Sequence, residues 1–338
     1  MSGGDEHDTV VDRAYRLILG READPEGAAG YADALRAGEL STAEVCASLA
    51  SSDEFARRLT PTAPPKAPKP TDPNHVDPAD LIDTLSVEDL AKTADDYFRN
   101  LENPESLLAK PLHNADEAPD LLITFGHVLR ALKPTPHLTV LDFGAGTCWT
   151  SRWLTQLGCR VIALDVSEAA LAIGKELFER QPVLGNVPDP DFLHFDGHQI
   201  DLPAASVDSV LCYDALHHVP NPAEVIAELA RVLRPGGVAA FSEPGPDHSR
   251  TERSQHEMQN HGVLENDIDI DDVWDWAQRA GFADIRLCLL DSGPAWVDLA
   301  TFHDVIAGRE DETVFVQPTR AAVSTRRMFS LSLPDAEV

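Results

Sequence analysis

The chain has 338 residues, 43% of them hydrophobic, and a formal net charge of −30. That length and composition imply two or three globular domains and exclude an intrinsically disordered chain. A field of this sign repels phosphate backbones and anionic bilayers, so no nucleic-acid partner is expected, and no apolar run reaches the roughly eighteen residues of a membrane span.

The N-terminus, MSGGDEHDTV, is acidic and has no basic or apolar leader segment, so no signal peptide is expected. Five scattered cysteines, Cys46, Cys148, Cys159, Cys212 and Cys288, form no CxxC pair, which fits reduced thiols and a cytoplasmic location.

Residues 1–60 read as a small helical domain. Val10, Val11, Ala14, Leu17 and Ile18 share one helical face, Gly20 suits a C-cap, and Ser52 suits the N-cap of a later helix. Residues 61–80 hold seven prolines and read as an extended linker. Residues 81–134 read as helices lying over the open edge of the 135–338 domain, with Tyr97, Phe98 and Lys110 as candidate contacts to bound ligands.

From residue 135 onward strands and helices alternate. Strand-like runs are LTVLDFG, RVIALDVS, PDFLHFDG, VDSVLCYDAL, GVAAFSEPG and ADIRLCLL, and helical runs such as EAALAIGKELFER and PAEVIAELARVL fall between them. This predicts an α/β fold, a Rossmann-like doubly wound and mostly parallel sheet. The tail segments ETVFVQPTR and RRMFSLSL suit a closing hairpin or late strands.

In such sheets ligands sit beyond the carboxyl ends of the strands. The first strand ends at Asp142, followed by Gly144 and Gly146. A dinucleotide loop needs a third glycine for close helix packing, but that place holds Trp149. An acid just before the loop suits a cation better than a pyrophosphate. Asp165, at the end of the second strand, is placed to accept ribose hydroxyls, and Asp196 to accept an adenine amino group. These residues describe a pocket for a cationic adenosine derivative without phosphates.

VLDFGAGTC, ALDVS and the stretch from FDGHQIDLP to LRPGGVAAFSEPG resemble, in order, the motifs of class I S-adenosylmethionine-dependent methyltransferases. The departure is Cys148, where that family usually has glycine. The resemblance implies S-adenosylmethionine as cofactor and S-adenosylhomocysteine as product. By it, Asp142, Gly144, Ala145 and Gly146 line the methionine end, and Asp165 and Val166 the ribose. Asp196 and Gly197 face the adenine, while Tyr213 and Asp214 lie between cofactor and acceptor. Residues 8–60, with the turns LGREADPEG and LRAGELST and the terminal SDEF, resemble the helical domain of unknown function 4214, which often accompanies carbohydrate enzymes.

Methyl transfer to a hydroxyl benefits from a general base near neutral pH. The candidates are His217, His218, Glu243 and His248, followed by Glu252, His256 and His261. His248, Glu252 and His256 recur every four residues and would share a helical face, suited to a polar substrate, a metal or plain solvent; no metal is expected. The expected activity is methylation of a small polar acceptor, chiefly a hydroxyl of a sugar or glycan precursor. The alternatives are an N-methyltransferase for an aminosugar or other small amine, or a non-catalytic scaffold in a carbohydrate-biosynthesis complex.

Overall fold

The structure is a computed structural model. It describes residues 6–19, 21–52, 74–185, 189–288 and 325–336, and the single residues 299, 303 and 307. The chain divides into two compact units, Met1–Thr71 and Asp72–Val338.

The first unit holds α1 (Glu6–Ala14), a π-helical turn (Tyr15–Leu19), α2 (Pro25–Ala37) and α3 (Thr42–Ala50). Its two conspicuous sequence turns are helix caps. In DPEG, the Asp24 carboxylate accepts from the Gly27 amide at 2.8 Å and Pro25 opens α2. In GELST, Gly38 ends α2 with φ of 68°, and Ser41 and Glu44 form a capping box on α3. Val11, Ala14, Tyr15, Leu19, Ala32, Val45 and Leu49 form the core of this unit. The Ser52 helix and most of the proline segment fall outside the described residues.

The second unit begins with four helices, α4 (Pro78–Thr84), α5 (Val87–Arg99), α6 (Glu105–Leu108) and α7 (Ala118–Leu132). The helical cover therefore starts inside the expected linker, because Asp77 caps α4 and Pro78 opens it. Then come β1 (Thr139–Phe143), α8 (Trp149–Gln156), β2 (Arg160–Asp165), α9 (Glu168–Arg180), β3 (Asp191–His194) and β4 (Val207–Tyr213). The chain continues through α10 (Pro222–Val232), β5 (Leu233–Pro244), α11 (Glu252–His261), α12 (Ile270–Ala280), β6 (Asp284–Leu287) and β7 (Arg326–Ser332).

The sheet order is β3-β2-β1-β4-β5-β7-β6. The first five strands are parallel, and β7 runs antiparallel between β5 and β6. RRMFSLSL is thus a strand inserted within the sheet, while ETVFVQPTR lies outside the described residues.

Both faces of the sheet are covered. Leu141, Val210 and Phe241 belong to one core with Val225, Ile226 and Leu229 of α10 and Val273 and Ala277 of α12. Their strand neighbours Val140, Leu211 and Ala240 belong to another, with Phe125, Val128 and Leu132 of α7 and Leu154 of α8. The two-residue alternation of each strand divides its side chains between these layers, which makes the sheet doubly wound.

Candidate functional site

The carboxyl ends of β1, β2, β4 and β5 converge on a cavity of about 500 Å³, roofed by α5. One side of it is the loop after β1. Gly144 and Gly146 adopt φ of 66° and 52°, and a Cβ on Gly144 would lie 2.3 Å from the Ala215 Cβ. Cys148 also adopts a left-handed backbone, φ of 60°, although it carries a side chain. The helix opposite makes room for it: a Cβ on Gly174 of α9 would lie 2.4 Å from the Cys148 sulfur. The thiol replacing the usual glycine is therefore matched by a glycine elsewhere.

Asp165 binds this loop together. Its carboxylate accepts from the Gly146 amide at 2.7 Å and from the Ser167 amide at 2.8 Å. Burial pushes its pKa up against these hydrogen bonds. Ser167, not Asp165, caps α9 through the Ala170 amide.

Gly144, Ala145, Gly146, Asp165, Val166, Gly197 and Tyr213 all line the cavity, and so do Asp214, Tyr97, Phe98 and Lys110. Burial pushes the Lys110 ammonium below its usual range, while Asp214 pulls the other way. Tyr213 packs against Phe125 and Trp149, with its hydroxyl hydrogen-bonded to Thr124.

Two expected cofactor residues take other positions. Asp142 is 1% exposed and lies off the cavity lining. Its carboxylate accepts from the Thr150 and Ser151 hydroxyls of α8 at 2.7 and 2.5 Å, and burial raises its pKa to about 6. These bonds tie the end of β1 to the start of α8. Asp196 is exposed and also off the lining. Its carboxylate accepts from the His198 and Gln199 amides, an Asx turn that closes the loop after β3.

The opposite wall of the cavity gathers titratable groups from distant segments. His217 follows β4 in a short 3-10 turn, and its Nδ1 lies 2.8 Å from the fully buried Glu243 carboxylate at the end of β5. Glu243 also accepts from the Ala215 and Leu216 amides at 3.1 and 3.0 Å, so it is an anchor behind His217 and does not reach the cavity. Burial and the neighbouring His218 drive the His217 pKa well below the usual histidine range. His218 packs on His217 and points its Nδ1 at the Leu264 carbonyl, 2.6 Å away.

His248 joins this wall, but not through the expected helical face. It sits in a 3-10 turn before α11, which begins only at Glu252 with Thr251 as its cap. Glu252 and His256 are exposed on α11 and do not line the cavity. His248 Nε2 instead meets the Glu265 carboxylate at 2.6 Å. Burial works against the Glu265 charge, but the His248 hydrogen bond and the adjacent His218 hold its pKa low.

Sequence reasoning missed Glu265 and Arg326. Arg326 opens β7, pairs with Asp214 at 2.7 Å and bonds the Ser242 hydroxyl at 2.9 Å. No local signal marks either residue, because each reaches the cavity only through the packing of late segments.

A family model described as a methyltransferase domain matches residues 141–241, and one described as a domain of unknown function, DUF4214, matches residues 3–59. A demethylmenaquinone methyltransferase of Renibacterium salmoninarum is 34% identical over 134 residues, 39% of this chain and 53% of that protein. A ubiquinone biosynthesis O-methyltransferase of Alkalilimnicola ehrlichii is 28% identical over 141 residues, 39% of this chain and 50% of that protein. The chain thus spans about half the length of the curated relatives it matches. In fold it is similar to a geranyl diphosphate methyltransferase solved with its substrate and sinefungin. The TM-score is 0.51 at 13% identity, covering 72% of this chain and 98% of the other.

Proposed function

The chain carries a class I S-adenosylmethionine-dependent methyltransferase domain, and we propose that its second unit methylates a hydroxyl of a small polar acceptor. The observation that carries this reading is the wall of His217, His248 and Glu265 across the cavity from the glycine loop. Amine acceptors need only a neutral nitrogen, whereas a hydroxyl must shed its proton as the new bond forms. With Nδ1 turned to Glu243, His217 presents its Nε2 on the Glu265 side, where it can accept the hydroxyl proton.

In this reading Gly144, Ala145 and Gly146 cradle the methionine end of the cofactor, Asp165 and Val166 its ribose, and Gly197 its adenine. Tyr213 flanks the transferring methyl group. The protein's main contribution is alignment of the hydroxyl with the C–S bond. The C–O bond forms as the C–S bond breaks, leaving S-adenosylhomocysteine and a proton shed at the histidine wall.

A saccharide is the favoured acceptor class. The histidine–carboxylate wall supplies hydrogen-bonding groups for several hydroxyls, and the first unit matches a domain that often accompanies carbohydrate enzymes. The edge-to-face pair Tyr97–Phe98 on the same cavity favours a second reading, a phenolic hydroxyl.

The deciding measurement is mass spectrometry of acceptor panels incubated with the full chain and S-adenosylmethionine. A gain of one methyl group on sugars or nucleotide sugars is expected, and a gain only on phenols moves the acceptor to the second reading. Methylation of amines alone overturns the hydroxyl proposal. Replacing His217 with Asn is expected to lower kcat about 10²–10⁴-fold with little change in cofactor Kd.

A further inference from the structure

We infer that His217, His248 and Glu265 hold one divalent transition-metal ion on the acceptor side of the cavity. One ligand atom from each residue lies within 4.8 Å of the others. His217 Nε2 is 3.8 Å, and His248 Nε2 2.6 Å, from the same Glu265 oxygen. A tetrahedral ion with bonds of about 2.0–2.1 Å holds its ligand atoms about 3.3 Å apart, so these separations bracket the required one.

Three further features fit an ion. First, His217 is held as a metal-binding histidine is held: its far nitrogen faces the fully buried Glu243, which is itself fixed by backbone amides. Such outer carboxylates orient the ring and keep the inner nitrogen unprotonated. Second, Glu243 and Glu265 bring two carboxylates into a largely buried wall whose ion-pair partners among the described residues are all histidines. Third, all three residues line the cavity, so the remaining coordination positions open toward the acceptor.

Two imidazoles and one carboxylate suit zinc, iron(II), cobalt or manganese, whereas magnesium and calcium prefer oxygen ligands alone. The Ser254 hydroxyl, 3.3 Å from the Glu265 carboxylate, donates to it and helps fix its orientation. The role of the ion rests on the hydroxyl-acceptor reading, although the site itself does not. With the ion bound, His217 would serve as a ligand and not as the proton acceptor; the ion would lower the pKa of an acceptor hydroxyl bound to it, whose proton would pass to water as the methyl group moves from sulfur to oxygen.

The test is equilibrium dialysis of the metal-stripped full chain against Co²⁺ and Zn²⁺, with elemental analysis and the visible absorption of bound cobalt as readouts. One ion per chain is expected, with an absorption band of low-symmetry cobalt. Uptake should fall about a hundredfold or more in His248→Ala and Glu265→Gln, and about tenfold in Glu243→Gln, whose carbonyl still accepts from His217. Thermal melting checks that the variants are folded. Wild-type uptake no greater than that of the His248→Ala/Glu265→Gln double variant overturns the site. If the stripped chain methylates a hydroxyl at full rate, the ion's role falls and the hydroxyl reading stands. If cobalt binds but no hydroxyl is methylated, the site stands and the acceptor reading falls.

Discussion

At Cys148 the backbone takes a left-handed conformation that costs a residue with a side chain about 1 kcal/mol or more. The fold accommodates it because Gly174 leaves a space filled by the thiol, which is fully buried. This coupling has a sign that can be measured. Gly174→Ala should cost about 1–3 kcal/mol through the clash with sulfur, even though alanine is the better helix former. In a Cys148→Gly background the obstruction is gone, so the same substitution should stabilise by up to about 1 kcal/mol. Urea unfolding of the four proteins decides it, and the same sign in both backgrounds would disprove the pairing. The sequence displayed the departure at Cys148 but not its counterpart, because Gly174 stands twenty-six positions away inside an ordinary helical run.

Among the elements, α5 does most to close the cavity. Its amphipathic pattern places Leu90 in the interior, and Val87, Ala91, Ala94, Tyr97 and Phe98 against the cavity. Two attachments set its position. Asp95 accepts from the Ser167 hydroxyl at 3.0 Å and the Ala169 amide at 2.8 Å, at the start of α9. Gly197 lets the backbone after β3 pass close beneath: with φ of 91°, its Cβ would lie 2.5 Å from Val87. A hydrogen bond to a carboxylate contributes about 1.5–3 kcal/mol when well formed. Asp95→Ala should therefore loosen the roof and raise the S-adenosylmethionine Kd about tenfold by calorimetry, and an unchanged Kd would refute the tether. Sequence patterning announced a helical cover and named Tyr97, Phe98 and Lys110. It did not announce the tether, since Asp95 looks like any acid on a solvent-facing helix.

Over the whole molecule, two units with separate cores share one chain. Every described residue lining the cavity lies between Val87 and Arg326, within the second unit. A chain of residues 72–338 should therefore bind S-adenosylmethionine with a Kd within about twofold of the full chain. A tenfold loss on truncation would show that the first unit takes part in the site. No helix among the described residues is long and apolar enough to cross a membrane.

Local physics was legible from the sequence. Strand alternation, helix caps, the glycine loop and the acids at strand ends depend on residues close together in the chain, so pattern and spacing revealed the fold class and the glycine loop. Even there, direction escaped the pattern: Asp142 turns to the hydroxyls of α8 and Asp196 into its own turn. Only the tertiary structure decided the histidine–carboxylate wall. There β7 enters antiparallel and carries Arg326 to Asp214, and a turn and a loop bring His248 and Glu265 to His217. Those meetings join residues 17 to 112 positions apart. Their geometry is set by how strands order and segments pack, which no local periodicity encodes.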